Sequence, residues 1–293
     1  MNTVTTQPLV SVYMPTKNRK ELLEVAINSV FSQDYPNIEL VIVDDGSSDG
    51  TQAWLEKLAQ QHQNVKVFRF EESLGACAAR NWAITHASGE FVTGLDDDDL
   101  FLPNRISSLV NGYSDDYAFI CSSCIWDFGK RQRIIDSIDC TINLEQQLSY
   151  NEATNQILVK RERVLAIGGF DTSFVSCQDY DLWTRLIIEY GEARRINIPS
   201  YIINDNGSSE RMIHSSNGTV GYTQFNNKHK HLMTKANLAN QRFMQIRRLR
   251  KPLTILEVLK QLGSGHMKSK LRYFLSSNFK FVRRLHQKIY RKN

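Results

Sequence analysis

Glu90-Phe-Val-Thr-Gly-Leu95-Asp96-Asp97-Asp98-Asp99 sets an apolar, β-prone run directly before four consecutive carboxylates. Adjacent acids repel one another and favour neither strand nor helix. At the end of a buried strand they call for a compensating cation. Hard divalent ions such as Mg2+ or Mn2+ take carboxylate and phosphate oxygens together, and such an ion neutralises a departing diphosphate. The competing reading is a solvated acidic turn in which Asp99 caps a helix near Pro103; the strand placed directly before the acids argues against it.

Working outward from that run, apolar strand-like stretches alternate with helical patterns. Leu9 to Met14 reads as a short buried strand ending at Pro15. Asn18 stands three residues before Glu21, the spacing of a capping box, and the helix after it puts Leu23, Ala26, Ile27 and Val30 on one face. Ile38 to Val43 is almost continuously apolar, as in a parallel strand covered on both sides. Asp44 to Gly50 is a tight loop before a helix around Trp54, Leu55 and Leu58. Val65 to Phe70 is a third strand, Gly75 to His86 a small-residue helix, and Glu90 to Leu95 the fourth strand. This β-α-β-α-β-α-β order predicts a doubly wound α/β sheet, which binds ligands at the carboxyl ends of its strands. Further along, Ala118 to Trp126 and Asn155 to Lys160 look like strands. Asp179 to Tyr190 looks helical, with Leu182, Leu186 and Ile187 on one side.

Three more constellations fall at strand or helix ends. The Asp44-Asp45-Gly46-Ser47 loop offers carboxylates to a base or ribose edge, or else forms an Asx turn and helix cap. In Gly75-Ala-Cys-Ala-Ala-Arg80-Asn81, Arg80 projects a guanidinium from an apolar element. That suits a diphosphate, or a structural ion pair with the acidic loop. Gly168-Gly-Phe-Asp171 makes a turn before Gln178-Asp179-Tyr-Asp181-Leu-Trp183, whose acids sit at the positive end of a helix. A carboxylate there can serve as a general base or as an ordinary N-cap.

Taken together and in this order, these motifs resemble glycosyltransferase family 2, the inverting family with the GT-A fold, over about residues 8–215. The resemblance implies a GT-A type doubly wound mixed sheet, with a nucleotide-binding half, an acceptor-binding half and a basic helical C-terminal tail. It implies that Pro15, Thr16, Asn18, Arg19, Asp44, Asp45, Arg80, Asp96 and Asp97 line the nucleotide-sugar. Asp98 and Asp96 are then expected to hold Mn2+ or Mg2+, joined by His214 from Arg211-Met-Ile-His214. Asp179 is expected to be the catalytic base, although many relatives carry Glu-Asp where this chain has Gln178-Asp179. Asp181 and Trp183 are expected to meet the acceptor. The implied reaction is a single in-line displacement that moves a hexose, glucose or galactose first, from a UDP-sugar to an acceptor hydroxyl. Relatives of this size with basic tails build bacterial surface polysaccharides, such as O-antigen of lipopolysaccharide, on polyprenyl-diphosphate carriers, so a lipid-linked sugar is the expected acceptor.

Charge patterning adds to this. Residues 242–293 hold fifteen Lys and Arg against one acid, Glu257, a net charge of +14, and leave −9 over the rest of the chain. Such asymmetry points to a polyanionic partner for the tail. Phe274, Phe281, Leu285 and Ile289 interleave its bases at helical spacing, which fits an anionic membrane surface. The expected organisation is a catalytic domain over 1–220 and a basic helical extension over 221–293 that associates with a membrane surface. With no run of about 18 apolar residues and no signal-peptide pattern at Met1 to Gln7, the expected location is cytoplasmic, peripheral on the cytoplasmic face of the inner membrane. A different reading makes the chain a nucleic-acid or polyanion-binding protein on a degenerate scaffold. No helix-turn-helix, zinc spacing or aromatic RNA motif supports that, and no nucleic-acid partner is expected. Nucleotidyl transfer would call for a Gly-rich basic phosphate loop, which Pro15-Thr16-Lys17-Asn18 is not. The five cysteines do not read as a disulfide framework, and the lone Cys121-Ser-Ser-Cys124 spacing reads as buried thiols rather than a redox or metal pair.

Overall fold

The computed structural model describes residues 7–154, 156–205, 216–279 and 281. The chain divides into two compact units. The first comprises residues 1–144, 152–174 and 178–209, and the second residues 145–151, 175–177 and 210–293.

The elements run in chain order β1 (Val10–Thr16), α1 (Lys20–Phe31), β2 (Ile38–Asp44), α2 (Thr51–Gln61), β3 (Val65–Arg69), α3 (Ala76–His86), β4 (Phe91–Gly94), β5 (Leu100–Phe101), α4 (Arg105–Gly112), β6 (Ile120–Asp127), β7 (Gln132–Ile135), β8 (Cys140–Ile142), α5 (Leu144–Ser149), β9 (Ile157–Lys160), α6 (Arg161–Ala166), α7 (Gln178–Tyr190) and β10 (Ala193–Asn204). Ten strands form one mixed sheet, ordered β3-β2-β1-β4-β9-β6-β10-β5, with β7 beside β6 and β8 beside β10. β3, β2, β1 and β4 are mutually parallel. β9 runs antiparallel to both β4 and β6 and so joins the nucleotide-type half to the rest.

Residue alternation along the strands separates two cores. Val10, Val12, Met14, Leu40 and Ile42 face a layer that includes Leu23, Ala26, Ile27 and Val30 of α1 and Ile106 and Leu109 of α4. Tyr13, Val41 and Val43 face the other layer, with Cys77, Ala79, Ala83 and Ile84 of α3 and Leu182, Trp183, Leu186 and Ile187 of α7. Both faces of the parallel strands are therefore covered, which is why β2 is apolar almost throughout. The same alternation settles Cys121-Ser-Ser-Cys124. Three residues apart on β6, the two thiols point to opposite faces and into different cores. Cys121 and Cys124 form no disulfide, and burial pushes Cys121 well above the usual thiol range.

Asn18 does not cap α1. The N-cap is Arg19, with no side-chain cap bond. Asn18 takes φ +53°, a left-handed conformation that Asn tolerates better than most residues. Asp99 likewise caps no helix, since α4 starts after Asn104.

The second unit contains α8 (Ser216–His229), α9 (Lys235–Arg248), α10 (Ile255–Lys260) and α11 (Met267–Asn278). Thr234 and Asn237 form a capping box at the start of α9. Asn237 Nδ2 donates to Glu145 O and Ser149 Oγ, both at 2.8 Å, and Gln241 Nε2 donates to Leu148 O at 2.7 Å. These bonds tie the body of α5 to α9. Phe225, Phe243 and Leu253 are buried within this unit. Among the described residues no helix is long and apolar enough to cross a membrane.

Candidate active site

Strand register brings the predicted loops together. Thr16 at the end of β1 lies beside Asp44 at the end of β2, and Asp44 lies beside Arg69 of β3. Tyr13 pairs with Gly94, so the acidic run leaves β4 at the same edge of the sheet. Asn18 ties the first loop to the second: its amide donates to Ser47 Oγ at 2.9 Å, and its Oδ1 accepts from Ser48 N at 2.7 Å.

Along Asp96 to Asp99 the carboxylates alternate between inward and outward. Asp97 is buried. It accepts from Thr16 Oγ1 at 2.8 Å and Arg19 Nη1 at 3.0 Å, and burial raises it to about 6 against the pull of Arg19. Asp99 accepts from Tyr201 Oη and from Asn204 N, each at 3.0 Å. Asp96 and Asp98 stay partly accessible, with side chains 25% and 21% exposed. Arg80 Nη2 reaches Asp96 at 2.9 Å and Arg19 Nη1 reaches Asp98 at 3.2 Å. Among the described residues no three His, Cys, Asp or Glu side chains converge as a metal cage. Two outward carboxylates nonetheless fit a hard cation that completes its shell with water and substrate phosphate oxygens, the usual manner of Mg2+. His214 lies outside the described residues.

The two acids at the end of β2 divide their work. Asp45 spends both oxygens inside the protein, accepting from Ser73 Oγ at 2.6 Å, Leu74 N at 2.7 Å and Gly75 N at 3.1 Å. It shapes the loop that delivers α3. Asp44 Oδ1 accepts from Ser47 N at 2.9 Å, whereas its buried Oδ2 has no hydrogen-bond partner and faces Arg69 Nη1 at 3.7 Å. A buried carboxylate oxygen without a donor is costly. Asp44 also borders a cavity of about 280 Å³ lined by Gln52, Leu55, Val67 and Arg69.

Arg80 sits over the Phe170 ring at 5.4 Å, and its buried Nε has no partner. Beside it, Asn81 clamps the Gly168-Gly-Phe turn. Its Nδ2 donates to Phe170 O at 2.8 Å and its Oδ1 accepts from Phe170 N at 2.7 Å. Both glycines of the turn take positive φ, +81° and +68°. Asp179 is the second residue of α7, where helix-end polarity and the Tyr180 N–H favour its anion. Desolvation outweighs them and lifts it to about 6, with Arg80 pulling down and Asp96 pushing up. Asp179 thus lies within the electrostatic reach of the Arg80–Asp96 pair.

The geometry shows what four of the expected site residues do inside the protein. Asp181 is 0% exposed and binds Arg185 Nε at 2.8 Å. Arg185 in turn donates to Ile167 O and Gly169 O. Asp181 therefore braces the glycine turn through Arg185. Trp183 is 1% exposed, packs between Phe119 and Phe170 at 6.0 Å and donates to Thr154 O, so no ring face is open to a sugar. Asp97 and Asp45, expected to line the nucleotide, have their carboxylates occupied by protein donors.

The sequence reading missed the support behind the acids. Gln156 accepts from Tyr13 Oη at 3.2 Å and donates to Asp96 Oδ1 at 3.3 Å. The fully buried Arg105 donates to Gln156 O at 3.1 Å and to Ser122 Oγ at 2.9 Å, and stacks on Phe101 and Tyr201. One signal for this was available. Gly94 stands inside a strand pattern, which marks a close approach; a Cβ there would lie 2.1 Å from Gln156 Oε1.

Comparison with known proteins places these features. Residues 11–170 match the family model described as glycosyl transferase family 2. The chain is 33% identical over 270 residues to an Escherichia coli (strain K12) protein named as the colanic acid biosynthesis glycosyl transferase WcaA, covering 88% of this chain and 95% of that one. It is 30% identical over 185 residues to the Escherichia coli UDP-Glc:alpha-D-GlcNAc-diphosphoundecaprenol beta-1,3-glucosyltransferase WfgD, covering 61% and 70%. In fold it is similar to S. aureus TarS 1–349 in complex with UDP, with a TM-score of 0.62 at 19% identity over 94% of this chain and 82% of that one. The GT-A type mixed sheet expected from the sequence is present. With a family model over more than half its length and a full-length relative beside it, the chain belongs to glycosyl transferase family 2.

Proposed function

We propose that this enzyme transfers a hexose, glucose or galactose first, from a UDP-sugar to a hydroxyl of a polyprenyl-diphosphate-linked sugar, with inversion, in bacterial surface-polysaccharide synthesis. The observation that carries the reading is the convergence of strand ends: Asp44 with an oxygen that no hydrogen bond satisfies, Arg80, and the outward carboxylates Asp96 and Asp98 share one end of the sheet. The names of WcaA and WfgD support the pathway and the lipid-linked acceptor.

In this reading Asp44 accepts from the base or ribose of the donor. The Pro15–Arg19 loop, with Thr16 and Asn18, lines the nucleotide. Arg80 stabilises negative charge on the departing diphosphate. Asp96 and Asp98 would hold Mn2+ or Mg2+, which when bound supplies Lewis-acid neutralisation of that leaving group. Asp179 takes the proton of the attacking hydroxyl, and its elevated pKa suits a base that must both accept and hold a proton near neutral pH. Inversion needs no covalent intermediate, so no nucleophilic side chain is required. Catalysis resides in residues 1–220, with 221–293 as the basic extension, working on the cytoplasmic face of the inner membrane. The test is product analysis with a UDP-α-hexose and a polyprenyl-diphosphate-linked sugar. A β-linked product that is lost in Asp179→Asn supports the reading. An α-linked product, or full activity in Asp179→Asn, contradicts it.

A further inference from the structure

We infer that the α10–α11 segment, Ile255 to Phe281, is a lipid-docking surface that seats the chain on an anionic bilayer. Eight large apolar side chains in this stretch are exposed: Ile255, Leu256, Leu259 and Leu262 around α10, and Leu271, Leu275, Phe279 and Phe281 along and after α11, with exposures of 37–74%. Single exposed apolar residues are ordinary on a soluble surface, but a concentration of them marks an interaction site. On each helix they recur at i, i+4 spacing, as Ile255 with Leu259 and Leu271 with Leu275, so each helix presents an apolar stripe outward.

Charge identifies the occupant. Lys260 of α10 and Lys268 and Arg272 of α11 are exposed among the apolar side chains, and Arg250 and Lys251 are exposed just before them. The one acid of the region, Glu257, is turned back to Arg242, whose Nε donates to it at 2.9 Å, and its side chain is only 16% exposed. The outward surface therefore combines six aliphatic and two aromatic side chains with bases, the aliphatic ones covering both helices, and presents little negative charge. Leu and Ile have nothing to stack on in a nucleic acid, which is held by bases and aromatic rings. Aliphatic side chains beside Lys and Arg match the acyl boundary and headgroups of an anionic bilayer. The inference rests on the lipid-linked acceptor reading for its purpose: a docked enzyme meets an acceptor confined to the membrane.

The test uses the full chain and vesicles of phosphatidylcholine alone or with phosphatidylglycerol. Flotation with the phosphatidylglycerol vesicles only, weakened by salt and reduced at least about ten-fold in Leu256→Gln/Leu259→Gln/Leu271→Gln, is the expected result. The charge variant Lys260→Gln/Lys268→Gln/Arg272→Gln should lose the salt-sensitive part. Both variants are checked for unchanged circular dichroism and unchanged UDP release from UDP-sugar in water. Wild type that stays unbound, or variants that float as wild type does, overturns the inference. Light scattering that shows a dimer lost in the Leu variant without lipid binding assigns the face to a second copy and also overturns it. Retention on nucleic acid instead of vesicles does the same. Because UDP release is read on the same protein, failure of docking and failure of the transferase reading are told apart.

Discussion

Arg80 Nη2 lies 2.9 Å from Asp96 Oδ1, joining the middle of α3 to the loop that follows β4. The pair does more than hold two elements together, because both charges act on Asp179: Arg80 lowers its pKa and Asp96 raises it.

Replacing Arg80 should therefore move the pH profile as well as the rate. Arg80→Ala removes the cation that favours the Asp179 anion, so the acid limb of kcat/KM shifts to higher pH. Turnover at its optimum falls on the order of 10²-fold with the loss of one charge-stabilising donor. Asp96→Asn should shift the same limb to lower pH. Rate measurements over pH 5–8 with a UDP-sugar check both directions.

Asp179 carries a carboxylate whose pKa is about 6 in the folded protein and near 4 in an unfolded chain. As the proposed base it would work deprotonated, so kcat/KM is expected to rise through about pH 6 and level above it. The stability linkage has the opposite sense. Between about pH 4 and 6 the folded state holds the proton more tightly than the unfolded one, so this group's contribution to stability declines as pH rises. Asp179→Asn should lose activity by on the order of 10³-fold and at pH 7 should be more stable than wild type by roughly 1–3 kcal/mol. Paired kinetics and thermal melts read this; a variant that is inactive and destabilised would assign Asp179 a structural role.

Trp183 is a core residue, and its substitution should behave accordingly. Trp183→Ala removes a buried ring between Phe119 and Phe170 and should cost about 3–5 kcal/mol. Trp183→Phe should cost some stability but keep the acceptor KM within about two-fold, since the ring is enclosed by protein on all sides. A selective rise in acceptor KM in Trp183→Phe would return the ring to the acceptor site.

The nucleotide-type half was legible because parallel strands buried on both faces leave long apolar runs, and chemistry collects in the loops at their ends. β1 to β4, the α3 helix and the acids of Asp44 and Asp96–Asp99 all came from that pattern. β10 did not. Ala193-Arg-Arg-Ile-Asn-Ile-Pro-Ser-Tyr-Ile-Ile-Asn204 carries two arginines and a proline, and its pairing shifts register between Ile196 and Tyr201. Arg195 is nevertheless buried, held by Glu152 O and Ile138 O. Side-chain direction was the other blind spot. Spacing put Asp179, Asp181 and Trp183 in one segment, but a helix turns 100° per residue. Asp181 thus turns about 200° away from Asp179 and binds Arg185, whereas Trp183, at i+4 from Asp179 and on the same face, is buried between Phe119 and Phe170. Partners distant in sequence, such as Gln156 and Arg105, leave no local periodicity at all.

Gly94 gives a sharper check of that hidden support. Gly94→Ala would force its methyl into Gln156 Oε1 and the Tyr13 ring, with approaches of 2.1 and 2.6 Å. Gln156 then has to leave Asp96. We expect weakened donor binding and a stability loss of about 1–3 kcal/mol, seen as a raised KM for UDP-sugar together with a lowered melting temperature.

We propose that this end of the sheet binds a nucleotide-sugar through Asp96 and Asp98 with a divalent ion. The most direct measurement is thermal shift and nucleotide release across UDP-, GDP- and dTDP-sugars, with Mn2+, with Mg2+ and with EDTA, for wild type and Asp98→Ala. Stabilisation and release with a UDP-hexose should require the metal and vanish in Asp98→Ala. Indifference to every nucleotide-sugar, or an equal response in EDTA and in Asp98→Ala, would contradict it.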